Sequence, residues 1–196
     1  SMKMRQTVLP TLAMSIRTVV AVLCFVTLYL IGSQSLGHAQ GQNGEYLLKA
    51  AFLYNFTKFV EWPDSTFATS STPLMICVLG NDPFGSSLDA IADKTIKGRP
   101  LVIKRLHSVD RVKDCQMLYV SPNQLTQTAE IVPTIQKAPV LTVCDAEDCA
   151  EAGIMLNMRV VENRVQLDMN LDAVQRTPLK VSSQLIKLTR IVKRNG

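Results

Sequence analysis

The middle of the chain contains four short apolar segments, each bounded by turn residues or polar loops. They cover residues 74–80, 98–106, 115–121 and 140–144. Their length and their valine, isoleucine and leucine content are typical of strands buried on both faces. Segments with helical character lie between most of them, which favours parallel strands joined by crossover helices.

An alternating segment follows the last of these strands. Residues 154–161 and 164–169 alternate apolar and polar side chains on either side of Glu162 and Asn163. A period of two indicates a β-hairpin with one buried face. We therefore predict a three-layer α/β fold whose mixed sheet of about six strands is flanked by helices. The sheet is expected to be mainly parallel, with the antiparallel hairpin at the C-terminal side.

Residues 45–62 carry the strongest helical pattern, with apolar residues at spacings of three and four before Pro63. Residues 40–44 are expected to be a flexible start. The aromatic residues Phe52, Phe56 and Phe59 are interpreted either as ordinary core packing or as a groove wall that contacts a partner.

Three further helices are predicted. One covers residues 81–94, and a second opens at Ser121, where Pro133 is expected to kink or end it. The last begins at Ser182 or the next residue, with residues 187–194 as its solvated face and tail.

The first forty residues have the pattern of a secretory leader. Three basic residues and no acidic residue accompany an apolar run over residues 19–31. The run is shorter than the roughly 20 residues that a spanning helix needs. Small residues at Gly37 and Ala39 then provide a cleavage site before Gln40. We predict a signal peptide over residues 1–39, with an uncleaved signal anchor as the alternative.

Residues 40–196 are then a single periplasmic domain, and Ser1 ahead of Met2 is interpreted as a cloning remnant. The leader carries 3 of the 21 basic residues and none of the 16 acidic ones, so the exported part has a net charge of 18 − 16 = +2. This small and scattered charge does not indicate nucleic-acid binding.

Four cysteines remain after the leader: Cys77, Cys115, Cys144 and Cys149. An even number in an exported domain indicates two disulfides, for which three pairings are possible. We favour Cys144–Cys149, which clips a short loop, and Cys77–Cys115, which ties the first apolar strand to the third. Those two strands are neighbours in common doubly wound sheets.

The segment CDAEDC, residues 144–149, also permits two other interpretations, a metal site and a redox-active dithiol. A structural zinc site needs a second pair of ligands, and the exported chain has only His107. Acidic neighbours raise the pKa of a thiol, which opposes redox reactivity. The disulfide is favoured over both, and no metal and no cofactor are expected.

Catalytic constellations are scarce, because His107 is the single histidine of the exported chain and no known nucleophile motif is present. We therefore predict that the protein is not an enzyme. The segment GNDPFG, residues 80–85, follows a strand, where open α/β sheets bind ligands. Asn81 and Asp82 either line a small-molecule site there or stabilise a turn.

Six segments in order resemble the YfiR family of bacterial periplasmic regulators. They are EYLLKAAFLYNFTKFVEWP, ICVLGNDPFG, GRPLVIKRL, CQMLYVS, PVLTV and LDMNLDAVQRTPLKVSSQLIKLTRIV. The resemblance covers residues 45–192, and it rests on the series together with the leader and the four cysteines.

The resemblance implies a repressor of an inner-membrane diguanylate cyclase. Such a protein lowers cyclic di-GMP and restrains biofilm formation, and an outer-membrane, peptidoglycan-binding lipoprotein releases the cyclase by sequestering it. The resemblance also implies a homodimer and two disulfides, and it suggests a site for small aromatic metabolites near Lys180 and Ser182.

The candidate partner contacts lie in the aromatic helix and the C-terminal segment. They are Phe52, Phe56, Phe59, Asn170, Leu171, Leu179 and Leu185. The competing hypothesis is a periplasmic small-molecule receptor, or an adaptor for another membrane signalling protein, with the 80–85 loop as its site.

Overall fold

A computed structural model describes residues 36–193, with side chains from Gly44 onward. The fold below is that of the compact unit Asn43–Gly196. The helices are α1 (Leu36–Phe59), α2 (Ser86–Asp89), α3 (Thr128–Ile135), α4 (Leu171–Gln175) and α5 (Ser183–Lys187). The strands are β1 (Val60–Glu61), β2 (Leu74–Leu79), β3 (Thr95–Ile96), β4 (Arg99–Leu106), β5 (Met117–Val120), β6 (Leu141–Cys144), β7 (Leu156–Val161), β8 (Arg164–Asn170), β9 (Lys180–Val181) and β10 (Thr189–Val192). Short 3₁₀ turns cover Asp64–Thr66, Val109–Asp114 and Pro122–Gln127.

Eight strands form one mixed sheet in the order β10-β8-β7-β6-β5-β2-β4-β3, and β1 pairs separately with β9. Strands β4, β2, β5, β6 and β7 are parallel to one another, whereas β3 and β8 are antiparallel to their neighbours β4 and β7. The predicted mixed, mainly parallel sheet is therefore confirmed. Its two extra strands, β3 and β10, are short and lie at the two edges.

The alternation of side chains along the strands divides the core into two layers. On β2, Ile76 and Val78 face the cluster that includes Leu53 and Phe56 of α1. Cys77 and Leu79 of the same strand face the opposite cluster, which contains the buried residues of α3. The sheet is thus covered on both faces, which is the predicted three-layer arrangement.

The predicted hairpin is the β7–β8 pair, whose turn is Glu162–Asn163. Both turn residues have positive φ, 49° and 60°. This backbone matches the twist of the flanking strands, and asparagine tolerates it well.

The two favoured disulfides are both present. Cys77 in β2 joins Cys115, just before the neighbouring strand β5, across a Cα–Cα distance of 6.0 Å. Cys144 at the end of β6 joins Cys149 across 6.5 Å.

The final helix is shorter than predicted. Ser182 caps α5 as expected, because the Gln184 amide donates to Ser182 Oγ at 3.2 Å. The chain then enters β10 at Thr189, so the prediction of a helical face and tail over residues 187–194 is wrong for the residues that form this strand. Parallel pairing of β10 with β8 outweighs the local helical pattern.

Other helix boundaries also differ from the predictions. Helix α1 already includes residues 40–44, which were expected to be flexible. The helix predicted over 81–94 is reduced to the single turn α2. Pro133 lies inside α3 and does not end it. Ser121 donates its hydroxyl to the Asn81 carbonyl at 2.5 Å instead of capping a helix.

The signal peptide predicted over residues 1–39 falls almost wholly outside the described residues. Among the described helices, none is both long enough and apolar enough to cross a membrane.

Candidate functional site: a buried aspartate and an apolar groove

Asp145 is a buried acid at the carboxyl edge of the parallel strands. It follows Cys144, the last residue of β6, and its side chain is 1% exposed. Parallel α/β sheets bind ligands beyond this edge. The position therefore identifies Asp145 as the centre of a candidate site.

Three side chains from two other elements reach the Asp145 carboxylate. Lys49 Nζ of α1 lies 2.8 Å from Oδ2, and the Tyr46 hydroxyl donates to the same oxygen at 3.0 Å. The Tyr119 hydroxyl of β5 donates to Oδ1 at 2.5 Å. Lys49, whose side chain is 3% exposed, also pairs with Glu45 Oε1 at 2.5 Å.

The surroundings of Asp145 keep both tyrosines protonated. Burial raises the pKa of Tyr119 and of Tyr46, and the neighbouring Asp145 carboxylate raises each pKa further. Both phenols therefore act as neutral hydrogen-bond donors, while Lys49 supplies the compensating charge that a buried carboxylate needs.

An aromatic chain connects this cluster to the loop after β2. Phe84 packs edge-on against Tyr119 and against Tyr46, with ring centroids 4.7 and 5.3 Å apart. The Phe84 amide donates to Asp82 Oδ1 at 2.8 Å, and Arg105 Nε donates to Asp82 Oδ2 at 2.7 Å. The Asn81 amide donates to Asn123 Oδ1 at 3.2 Å.

Asp82 therefore stabilises the turn, which is one of the two roles expected for it, and the ligand-binding role of Asn81 and Asp82 stays a prediction.

Lys180 and Ser182 lie at the opposite end of the sheet. The Ser182 amide donates to the Phe59 carbonyl, and Trp62 nearby donates to the Gln116 carbonyl before β5. The four candidate ligand residues thus do not form one site.

An open cleft of about 400 Å³ lies beside the Asp145 cluster. Its lining includes Glu45 and Lys49 of α1, Glu147 of the disulfide loop, and Arg159 and Val160 of β7. Arg159 in turn donates to the buried Asp168 on β8. The cleft presents both signs of charge together with one exposed aliphatic side chain.

Two asparagines fix the disulfide loop that carries Asp145. Asn157 Nδ2 donates to the Ala146 carbonyl at 2.7 Å, and Asn170 Nδ2 donates to the Ala150 carbonyl at 2.8 Å. Asn170 also caps α4 by accepting the Ala173 amide at 2.9 Å. Asn170 is thus a buried structural residue in this conformation.

A second depression, which we call the apolar groove, lies at the β10 side of the sheet. Strand β8 begins at Arg164, but its pairing with β10 begins only at Leu167, which leaves a notch about 390 Å³ in volume. The groove is lined by Phe52, Val165, Gln166, Leu167, Leu188 and Arg190. Leu188 is 67% exposed, so the groove has a strongly apolar rim.

Most of the candidate partner contacts lie outside this groove. Phe56, Asn170, Leu179 and Leu185 are buried in the protein's own core, so a partner cannot touch them in this conformation. Phe52, Phe59 and Leu171 are partly buried and pack against that core.

Of these seven residues, only Phe52 lines the groove. Val165, Leu167 and Leu188 were missed, although the alternation of β8 is a signal for the first two.

Within residues 36–193, no group of three or more histidine, cysteine, aspartate or glutamate side chains is placed to hold a metal ion. His107 is exposed after β4. The cluster around Asp145 is accordingly interpreted as an ion pair with two neutral donors.

A family model described as YfiR/HmsC-like matches residues 46–190 of the chain. The match contains every residue of the Asp145 cluster except Glu45, together with all residues that line the apolar groove. A search of curated proteins gave no match.

Proposed function

The chain belongs to the YfiR/HmsC-like family, and we propose on this basis that it is a periplasmic regulator of diguanylate cyclase signalling. In this proposal it binds the periplasmic part of an inner-membrane diguanylate cyclase, holds the enzyme inactive and lowers cyclic di-GMP. The observation that carries the proposal is the family match over residues 46–190. The two disulfides support an oxidising compartment.

The apolar groove is the contact surface that we assign to the cyclase. The groove exposes Leu188 and part of Phe52. It lies at the edge of the sheet, beside the first residues of β8, which do not pair with β10. Exposed apolar surface of this kind marks interaction sites in soluble proteins. We therefore propose this surface as the contact in place of the candidate residues that are buried.

Repression is proposed to work by population shift. The regulator binds the inactive conformation of the cyclase more tightly than the active one, and strong inhibition requires a difference of about 5 kcal/mol. At about 25 cal/mol per Å² of apolar surface, that difference corresponds to roughly 200 Å² buried in one state and exposed in the other. Leu188, which is 67% exposed, contributes part of this area.

An outer-membrane, peptidoglycan-binding lipoprotein is the proposed releasing partner, and the regulator is proposed to act as a homodimer. Sequestration by the lipoprotein removes the free regulator, so the cyclase returns to its active conformation by mass action.

The test is cellular cyclic di-GMP in a strain that lacks the gene, complemented with the natural protein or with a variant. Deletion is expected to raise cyclic di-GMP, and the natural protein is expected to lower it again. Leu188→Glu is expected to fail to complement, because it places a charge on the rim of the groove.

Val102→Glu is the matched control, since Val102 is an exposed aliphatic residue of β4, away from the groove. A folded Leu188→Glu protein that represses fully would contradict the assignment of the groove. Unchanged cyclic di-GMP on deletion would contradict the cyclase pathway itself.

A periplasmic small-molecule receptor, or an adaptor for another membrane signalling protein, is the second candidate function. The mixed-charge cleft beside Lys49 and Asp145 favours it, because the cleft lies where α/β sheets bind ligands. A metabolite that raises the Tm of the protein, with no membrane partner recovered by crosslinking in cells, would support this function over the first.

A further inference from the structure

The cleft beside Asp145 is lined by acidic and basic side chains together. Glu45, Asp145 and Glu147 contribute three carboxylates, and Lys49 and Arg159 contribute two cations. The exported part of the chain has a positive net charge. The sign of the charge that the cleft presents to a ligand depends on which of these five side chains are already paired elsewhere.

Arg159 belongs to a charge-balanced group of four side chains. Its Nε and Nη2 both donate to Asp168, which also accepts from Arg190 Nε at 2.8 Å. Glu151 Oε1 lies 4.0 Å from Arg190 Nη2. Two arginines and two acidic residues offset one another here, so Arg159 adds no net charge to the cleft.

Lys49 is the remaining cation of the lining, and two carboxylates share it. Its Nζ lies 2.5 Å from Glu45 Oε1 and 2.8 Å from Asp145 Oδ2. Glu147 is exposed on the disulfide loop and takes part in none of the ion pairs among the described side chains. One lysine thus faces three carboxylates, which gives the cleft an excess of negative charge.

The two accessible carboxylates of the cleft lie on different elements. Glu45 belongs to α1 and its side chain is 34% exposed, whereas Glu147 belongs to the loop after β6. The Asp145 carboxylate is buried and already held by Lys49 and by both tyrosines. An occupant that pairs with both accessible carboxylates therefore carries two positive groups joined by a spacer.

The rest of the lining indicates the chemistry of this spacer. Val160, which is 42% exposed, and Val161 line the cleft from the end of β7, and Ala146 lines it from the disulfide loop. Apolar walls with a few placed charges are typical of sites for small organic molecules. A bare metal ion fits less well, because within residues 36–193 no group of three acidic, histidine or cysteine side chains is placed to hold one.

We propose that the cleft binds a small aliphatic diamine, with one ammonium at Glu45, the other at Glu147, and the methylene chain against Val160 and Val161. The inference rests on the second candidate function, because it names the class of metabolite that the receptor takes. Charge-assisted hydrogen bonds to the two carboxylates supply the recognition, and burial of the methylene groups adds to it.

The test is a titration of the purified, oxidised protein with putrescine, followed by amide chemical shifts in NMR spectra. Saturable shifts are expected in residues 45–49, 145–147 and 159–161. Butanediol has the same carbon chain without the charges and is expected to cause no saturable shift. Butylamine, which has the chain and the single ammonium of a lysine side chain, is expected to bind about threefold more weakly than putrescine.

Three results would overturn the inference. The first is the absence of saturable shifts with putrescine up to the highest concentration at which the protein stays soluble. The second is equal binding of butanediol and putrescine, which would mean that the cleft does not recognise charge. The third is equal binding of butylamine and putrescine, which would mean that one ammonium is enough and that a lysine side chain of a partner fits as well.

A conservative variant tests whether the carboxylates of the cleft are responsible. Glu147→Gln removes one accessible carboxylate with little change of shape and is expected to weaken putrescine about threefold at low salt. Glu130→Gln is the matched control, since Glu130 is exposed on α3 and lies outside the cleft. Equal weakening by the two variants would assign the effect to net charge and contradict a site in the cleft.

The outcomes for this inference and for the proposed functions are distinguishable. If the natural protein restores repression of cyclic di-GMP but putrescine does not bind, the regulator function stands and the diamine site does not. If another metabolite raises the Tm while putrescine does not bind, the receptor function stands with a different ligand. If deletion of the gene leaves cyclic di-GMP unchanged and putrescine binds, the diamine site stands without the cyclase pathway.

Discussion

At the residue scale, Asp145 joins three elements that are far apart in sequence. Its carboxylate contacts Lys49 and Tyr46 of α1 and Tyr119 of β5, while its own backbone belongs to the disulfide loop. Removing one member of a buried ion pair leaves the other charge uncompensated, and this is more costly than the pair is stabilising.

Lys49→Met is therefore expected to lower the free energy of unfolding by about 3–5 kcal/mol, because methionine fills the space but leaves the Asp145 charge buried. Urea unfolding at neutral pH measures the change. Lys58→Met is the control on the same helix, since Lys58 is exposed. If both substitutions change the free energy of unfolding by a similar, small amount, the expected cost of breaking the Lys49–Asp145 pair is contradicted.

Asp168 gives the protein a specific sensitivity to acid. Burial raises the pKa of this carboxyl, but hydrogen bonds from Arg190 and Arg159, together with their charges, lower it by more, so the pKa lies below its ordinary value of 3.8. A carboxyl whose pKa is lower in the folded state stabilises the fold above its unfolded pKa. That contribution is lost as the pH falls through the folded pKa.

We expect the natural protein to lose stability as the pH drops below about 4, and Asp168→Asn to lose less over the same interval. The measurement is the free energy of unfolding as a function of pH. The control is Asp172→Asn, at a carboxyl in the first turn of α4. Parallel pH curves for the natural protein and Asp168→Asn would contradict the assignment of the acid sensitivity to Asp168.

At the scale of elements, the two disulfides differ in the length of chain that they close. The Cys77–Cys115 bridge spans a sequence separation of 38 and the Cys144–Cys149 bridge one of 5. By the chain-entropy argument, the longer loop contributes about 4 kcal/mol and the shorter about 2 kcal/mol.

Replacing Cys77 and Cys115 together by alanine is accordingly expected to destabilise the protein more than replacing Cys144 and Cys149. Denaturant unfolding of the two double variants measures the difference. If the short-loop variant is the less stable one, the hydrogen bonds from Asn157 and Asn170 that hold this loop depend on the bridge more than chain entropy implies.

The elements that the sequence predicts well are those in which local pattern and tertiary environment agree. The strands β2, β5 and β6 are apolar and buried, and the β7–β8 hairpin alternates around a turn whose positive φ suits Asn163. The strand β10 was not predicted, because Leu185, Leu188 and Ile191 fit a helical spacing. Its conformation is decided by parallel pairing with β8, which no local pattern encodes.

At the scale of the whole molecule, the two depressions lie next to each other along α1 and the hairpin. Val160 lines the cleft and Val165 the apolar groove, and these residues are directly opposite each other in the β7–β8 pair. The sequence analysis placed the candidate partner contacts in α1 and the C-terminal segment, but it could not distinguish accessible side chains from buried ones. Phe56 and Leu185 share an apolar character with Leu188, and only the packing of the layers distinguishes them.

This adjacency allows the two candidate functions to be separated by one substitution. Glu147 lines the cleft from the disulfide loop and is exposed, and it is not among the residues of the groove. Because Glu147→Lys reverses a charge in the cleft without touching the groove, a cyclase regulator is expected to keep full repression of cyclic di-GMP, within about twofold. A complementation assay beside Leu188→Glu measures this. Loss of repression in a stably folded Glu147→Lys protein would instead make the cleft the site through which the signal acts, and the receptor function would then explain the buried Lys49–Asp145 pair as the floor of a ligand site.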